Sequence, residues 1–106
     1  MAINTFSQLP QVENLSFVAG DDFELLLDIN LDLTSYVFDA YIEDSTGTQV
    51  PFTVTATNLT NGQLSLKILR VVTILMYGSY TWAFKWIDTS LNHLTVLAGS
   101  VEVINA

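Results

Sequence analysis

Period-two alternation runs through most of this chain and leaves few folds open. In Phe23-Glu24-Leu25-Leu26-Leu27-Asp28-Ile29, the residues Phe23, Leu25, Leu27 and Ile29 fall on one face, while Glu24 and Asp28 fall on the other. Successive strand side chains point to opposite faces, so the pattern predicts a half-buried strand. Residues 36–43 repeat it, with Phe38, Ala40 and Ile42 against Val37, Asp39, Tyr41 and Glu43. Residues 50–57 set Phe52, Val54 and Ala56 against Thr53, Thr55 and Thr57, and threonine suits the outer face of a strand. Leu64, Leu66 and Ile68 follow, and Tyr80, Trp82, Phe84 and Trp86 share one face of residues 79–88. In residues 93–104 the apolar parity switches near Ala98-Gly99, which predicts a bulge.

Turn chemistry separates these runs. Asn30-Leu31-Asp32, the Gly47 turn and residues 89–92 read as turns, and Asn61-Gly62 reads as a hairpin. One segment breaks the pattern. Residues 70–77 lack clean alternation and end at Gly78, which reads as a short helical turn or crossover closed by a glycine C-cap. Val71, Val72, Thr73 and Ile74 are β-branched and argue against a long helix. Residues 1–16 read as an N-terminal arm that contacts a neighbour or as a simple edge strand, and residues 17–106 as one domain. About seven short strands with one helical turn predict an all-β, antiparallel, immunoglobulin-like β-sandwich.

Such a sandwich has a large outer surface, and this chain has little charge to cover it. Only 13% of its 106 residues are charged and 50% are hydrophobic, whereas soluble domains carry roughly 25% charged residues. An apolar surface rich in Thr, Ser and Asn suits a part held in a larger assembly. The net charge of -8, with Lys67, Arg70 and Lys85 as the only Lys or Arg, argues against nucleic-acid and anionic-membrane partners. No cysteine is present, so no disulfide or thiolate metal site contributes. Residues 1–10 lack a secretory signal pattern, no apolar run is long enough to span a membrane, and the two Asn-Leu-Ser/Thr triplets are read as chance matches.

Little in the chain points to chemistry. Asp21, Asp22, Glu24 and Asp28 invite a calcium reading, but they read better as the solvated face of a strand. Asp39 and Glu43 read as a negatively charged sheet face rather than a glycosidase pair. His93, the single histidine, reads as a polar residue at a turn edge. The row Tyr80, Trp82, Phe84 and Trp86 reads as core, with a carbohydrate-stacking platform on exposed Trp82 or Trp86 as the rival. No catalytic residue, metal ligand or cofactor site is expected.

The order of short motifs resembles a known family. Gly20-Asp21-Asp22-Phe23 opens a strand, Asp32-Leu33-Thr34-Ser35-Tyr36 precedes the next, and Gly62-Gln63-Leu64-Ser65-Leu66 follows. Thr73-x-Leu75 then runs into Gly78-Ser79-Tyr80-Thr81-Trp82, and Leu97-Ala98-Gly99-Ser100-Val101-Glu102-Val103 closes the domain. Together these are similar to the small immunoglobulin-like β-sandwich modules of tailed-phage virions, the N-terminal domain of siphophage upper baseplate proteins being the nearest case. Ser35 stands where that family usually has glycine. The resemblance implies a non-enzymatic virion structural protein in a baseplate, neck or tail-fibre adaptor. It would be made in the host cytoplasm and would bind copies of itself and other virion proteins. The alternatives are a capsid decoration protein or a carbohydrate-binding adhesin module. The residues expected at interfaces are Phe6, Leu9, Leu26, Val37, Tyr41, Val71, Val72, Ile74, Met76, Tyr77 and Ile87.

Overall fold

The computed structural model describes residues 11–29 and 31–105. Among them are nine strands: β1 (Gln11–Val12), β2 (Leu15–Val18), β3 (Phe23–Asp28), β4 (Val37–Glu43), β5 (Gln49–Pro51), β6 (Thr53–Asn58), β7 (Gln63–Ile68), β8 (Gly78–Ile87) and β9 (His93–Ile104), with helix α1 (Arg70–Thr73) between β7 and β8. One sheet runs β1-β9-β8-β4-β5, with β2 also on β9, and the other runs β3-β7-β6. This is the two-sheet, all-β, immunoglobulin-like sandwich that the alternation predicts.

The alternating positions land as expected. Ala40 and Ile42 of β4, Leu64, Leu66 and Ile68 of β7, and Trp82, Phe84 and Trp86 of β8 are all buried. Phe17, Phe52, Leu97, Val101 and Val103 complete the core with Leu33 and Met76. Aromatic rings chain through it: Phe17 stacks on Phe23 at 4.8 Å between centroids, and Phe52 meets Trp82 edge-on at 6.1 Å. Phe38 stacks on Phe84 at 5.9 Å, and Tyr36 meets Trp86 edge-on at 5.3 Å. A fully buried ring such as Phe84 contributes about 1.5–3 kcal/mol by leaving water.

The sandwich is not wholly antiparallel. β1 and β2 both run parallel to β9, with Gln11 opposite Leu97 and Leu15 opposite Val101. Within the segment 1–16, residues 11–16 thus lie at an edge of the larger sheet, the edge-strand alternative, and β2 runs on through residues 17 and 18. The rest of that segment, including Phe6 and Leu9, lies outside the described residues.

Two local expectations are corrected. The bulge in β9 lies at Val96, between the pairs Phe84–Leu97 and Lys85–Thr95, and not at Ala98-Gly99. Gly99 instead makes room: a Cβ there would overlap the carbonyl oxygen of Glu13, where the chain crosses between β1 and β2. Asn61-Gly62 closes the β6–β7 hairpin as expected, through a 3-10 turn over Leu59–Asn61, with Asn58 accepting from the Asn61 amide and Gly62 left-handed at φ 74°. Gly78 does not cap α1, whose C-cap is Ile74; it opens β8 at φ 91°. Val71 and Val72 keep the helix to a single turn, so the C-cap arrives four residues earlier than the glycine.

Candidate assembly surfaces

α1 forms an apolar knuckle between β7 and β8. Its outward side chains include Val71 (68% exposed), Ile74, Leu75 (85% exposed) and Tyr77, with Val72 at the border of exposure. Exposed apolar groups this dense would normally fray a one-turn helix, so the local structure needs an anchor. Thr73 supplies it. Its side chain is fully buried, and its hydroxyl accepts from the Gly20 amide at 3.1 Å and donates to the Asp21 carbonyl at 2.7 Å. Asp22 accepts from the Arg70 amide at 2.6 Å, and the Arg70 guanidinium donates to the Gly20 carbonyl at 3.2 Å. The turn between β2 and β3 thus holds α1 in place and satisfies orphan groups at its start.

Met76 is corrected as an interface residue. It is buried in the core, on the opposite side of the knuckle from Leu75 and Tyr77. A one-turn helix followed by an irregular segment presents some side chains inward, which a scan for unpatterned apolar residues does not resolve. The following corner is closed by Tyr80, whose hydroxyl accepts from the Tyr77 amide at 3.0 Å. A tyrosine at the start of this strand, bonded back to the backbone just upstream, is a known device of immunoglobulin-like corners.

The outer face of the larger sheet carries the second group of expected interface residues. Val37 is exposed, while Tyr41 and Ile87 are half-buried there. Val37 lies opposite Ile87, which in turn lies opposite His93. These residues and the Asp39–Lys85 pair line an open groove of about 370 Å³. The Lys85 ammonium sits 5.2 Å from the centroid of the Tyr41 ring. The Tyr41 phenol is the main cause that pushes the Lys85 pKa up. Lys85 is therefore held charged by its neighbour and is not poised as a base. His93 is exposed at the strand end beside the turn, as expected.

Leu26 stands on the outer face of the smaller sheet at 72% exposure, between Glu24 and Asp28 on the same strand. Thr53 and Thr55 are exposed on the same sheet, opposite Lys67 and Ser65 of β7. Among the described residues no three or more histidine or carboxylate side chains converge to hold a metal ion, and no described helix is long and apolar enough to cross a membrane.

Both tryptophans are inside. Trp82 is 2% exposed and Trp86 8%. The carbohydrate-stacking platform on exposed Trp82 or Trp86 is therefore corrected: these rings fill the space between the sheets. Asp32 and Thr34 make a tight turn, with the Asp32 carboxylate accepting from the Thr34 amide at 3.0 Å and its hydroxyl at 2.6 Å. Next to them Ser35 adopts φ 71°, the left-handed conformation that glycine takes without strain.

No protein-family model matches the chain, and no curated protein matches it in sequence. Solved structures do match. CopC from Methylosinus trichosporium OB3b aligns over 91% of this chain and 84% of its own, with a TM-score of 0.53 and 17% identity. A family 123 glycoside hydrolase from Clostridium perfringens, studied for glycolipid glycan hydrolysis, aligns over 91% of this chain but 23% of its own, with a TM-score of 0.55 and 13% identity. At such identities the likeness shows a shared β-sandwich fold and nothing more.

Proposed function

We propose that this chain is a non-enzymatic structural module of a tailed-phage virion, acting through contacts with copies of itself and with other virion proteins. Its place would be a baseplate, neck or tail-fibre adaptor, with capsid decoration as the alternative. The observation that carries the reading is the knuckle at α1. Val71, Ile74, Leu75 and Tyr77 are exposed together on a turn anchored by Thr73, Asp22 and Arg70. Rigid, exposed apolar groups are what an assembly contact needs and what a free monomer avoids. The motif order from Gly20-Asp21-Asp22-Phe23 to the closing Gly99-Ser100-Val101 supports a virion module in particular. The negative charge and the scarcity of Lys and Arg fit protein partners better than nucleic acid or an anionic membrane.

Size-exclusion chromatography with light scattering tests this. The wild-type chain is expected to self-associate or to bind purified virion proteins, and Val71→Asp with Leu75→Asp to remain monomeric while folded by circular dichroism. A wild-type chain that stays monomeric at high concentration and binds no virion protein would overturn the reading.

A further inference from the structure

The free edge of β3 carries an inference of its own, independent of the knuckle and of the kind of particle. Among the described residues β3 has a hydrogen-bonded neighbour, β7, on one side only. In the usual sandwich the first strand would cover the other side, but here β1 and β2 pair with β9 in the opposite sheet. This leaves a six-residue edge strand with Leu26 72% exposed at its middle. Beside it a cleft of about 260 Å³ opens between the sheets, lined by Leu15, Leu25, Leu27 and Leu97 together with the polar Gln11 and Glu13. An unpaired row of backbone amides and carbonyls next to a partly apolar cleft is the geometry into which an added strand fits.

Charge selects the occupant. Glu24 and Asp28 flank Leu26 on the outer face, and only Glu24 has a cation opposite it, Lys67 of β7. A second copy pairing β3 with β3 about Leu26 would set Glu24 against Asp28, and like charges directly opposite are unfavourable. No other part of a second copy does better. Its Lys67, Arg70 and Lys85 include no two residues four apart, and residues 1–10 contain neither Lys nor Arg. We infer that the β3 edge accepts an extended segment of a different protein, one with two basic side chains four residues apart and three apolar residues between them. The basic groups would lie opposite Glu24 and Asp28. The first and third apolar side chains would enter the cleft beside Leu25 and Leu27, and the middle one would cover Leu26.

Fluorescence anisotropy with the full chain tests this, using a labelled peptide Ser-Lys-Val-Leu-Val-Lys-Ser and its counterpart with both Lys replaced by Glu. The basic peptide is expected to bind roughly tenfold or more tightly than the acidic one, with the preference reversed in Glu24→Lys with Asp28→Lys. In amide hydrogen exchange, alternate amides of Phe23–Asp28 should exchange freely in the isolated chain and become protected by the peptide. Binding of the basic peptide that is indifferent to the double charge reversal, or no binding of either peptide, overturns the proposal. So does slow exchange of all six amides in the isolated chain, which would mean that the edge is already covered.

Discussion

The indole nitrogen of Trp82 donates to the main-chain carbonyl of Glu13 at 2.7 Å, joining residues 69 apart in sequence. That carbonyl sits where Gly99 has no side chain, and Asn14 next to it accepts from the amide and hydroxyl of Ser100, both at 3.1 Å. A buried donor of the central strand, a missing side chain and one asparagine together hold the kink between β1 and β2. Gly99→Ala should therefore cost about 3 kcal/mol or more, because the first strand must lift off β9. Trp82→Phe should cost about 1–3 kcal/mol by leaving the Glu13 carbonyl without its donor. Urea denaturation of both variants checks the pair.

Thr73 is the anchor of the knuckle. Thr73→Val keeps the shape but leaves the Gly20 amide and the Asp21 carbonyl unpaired. It should lower stability by about 2 kcal/mol. Thr73→Ser should cost less, since it retains both hydrogen bonds. Hydrogen exchange across residues 69–76 should quicken in the valine variant and not in the serine variant. Equal exchange in the two would show that packing, rather than the hydroxyl, holds α1.

Among the described residues two other than glycine sit in left-handed backbone, Ser35 at φ 71° and Leu91 at φ 64°, and both are exposed. Side chains there clash with the backbone, whereas glycine does not. Ser35→Gly and Leu91→Gly should each raise the stability by up to about 1 kcal/mol, the lost strain exceeding the entropy that glycine gives back to the unfolded chain. Thermal melts of the single and double variants check this, with near-additive gains because the two turns are separate.

Three aspartates hold turns as carboxylates. The Thr34 hydroxyl keeps the Asp32 pKa below its usual value, the Thr46 hydroxyl does so for Asp44, and the Asn92 amide does so for Asp88. A carboxylate with a lowered folded pKa adds stability above its unfolded pKa, and that stability is lost as the pH falls through the folded value. Their contribution to the urea midpoint should hold from about pH 7 to about pH 5 and shrink below about pH 4. Asp44 accepts from the Thr46 amide, the Thr46 hydroxyl and the Thr48 amide through one oxygen. Asp44→Asn keeps such an oxygen without titrating, so its midpoint should fall less on acidification than that of wild type. Because acid also relieves the repulsion of a chain of net charge -8, the comparison between the two proteins is the deciding measurement.

Much of this fold is legible in the sequence because burial on one face imposes a period of two. Phe38, Ala40 and Ile42 declared their side of β4, and Trp82, Phe84 and Trp86 declared theirs, since no other face of the sandwich could receive them. What periodicity does not carry is pairing. Gln11 and Val12 are both exposed and show no pattern, so their parallel seat on β9 rests on the Glu13 kink and Gly99, a contact across the whole chain. Asn61-Gly62 marked the β6–β7 hairpin but not the 3-10 turn that closes it, because a left-handed glycine serves a 3-10 terminus as well as a two-residue turn. The candidate surfaces were legible as exposed apolar residues at Leu26, Val37, Val71, Ile74 and Tyr77. Met76 was not, because a single helical turn is too short for its inward side to show. Thr73 stood in the motif order, but its role as an anchor was not legible, since a buried hydroxyl matters only once its backbone partners are known.

The parallel seat of β2 on β9 has a mechanical consequence. Leu15–Val18 lie beside Val101–Ile104 and point the same way, while the chain leaves this pair at opposite ends. Tension applied through the two termini pulls these strands past each other along their length. The hydrogen bonds between them are then loaded together in shear instead of being peeled apart one at a time. Force spectroscopy through the termini should record a higher rupture force than pulling that enters at the β4–β5 turn, where an antiparallel pair unzips. A module built this way resists pull along these strands before it yields.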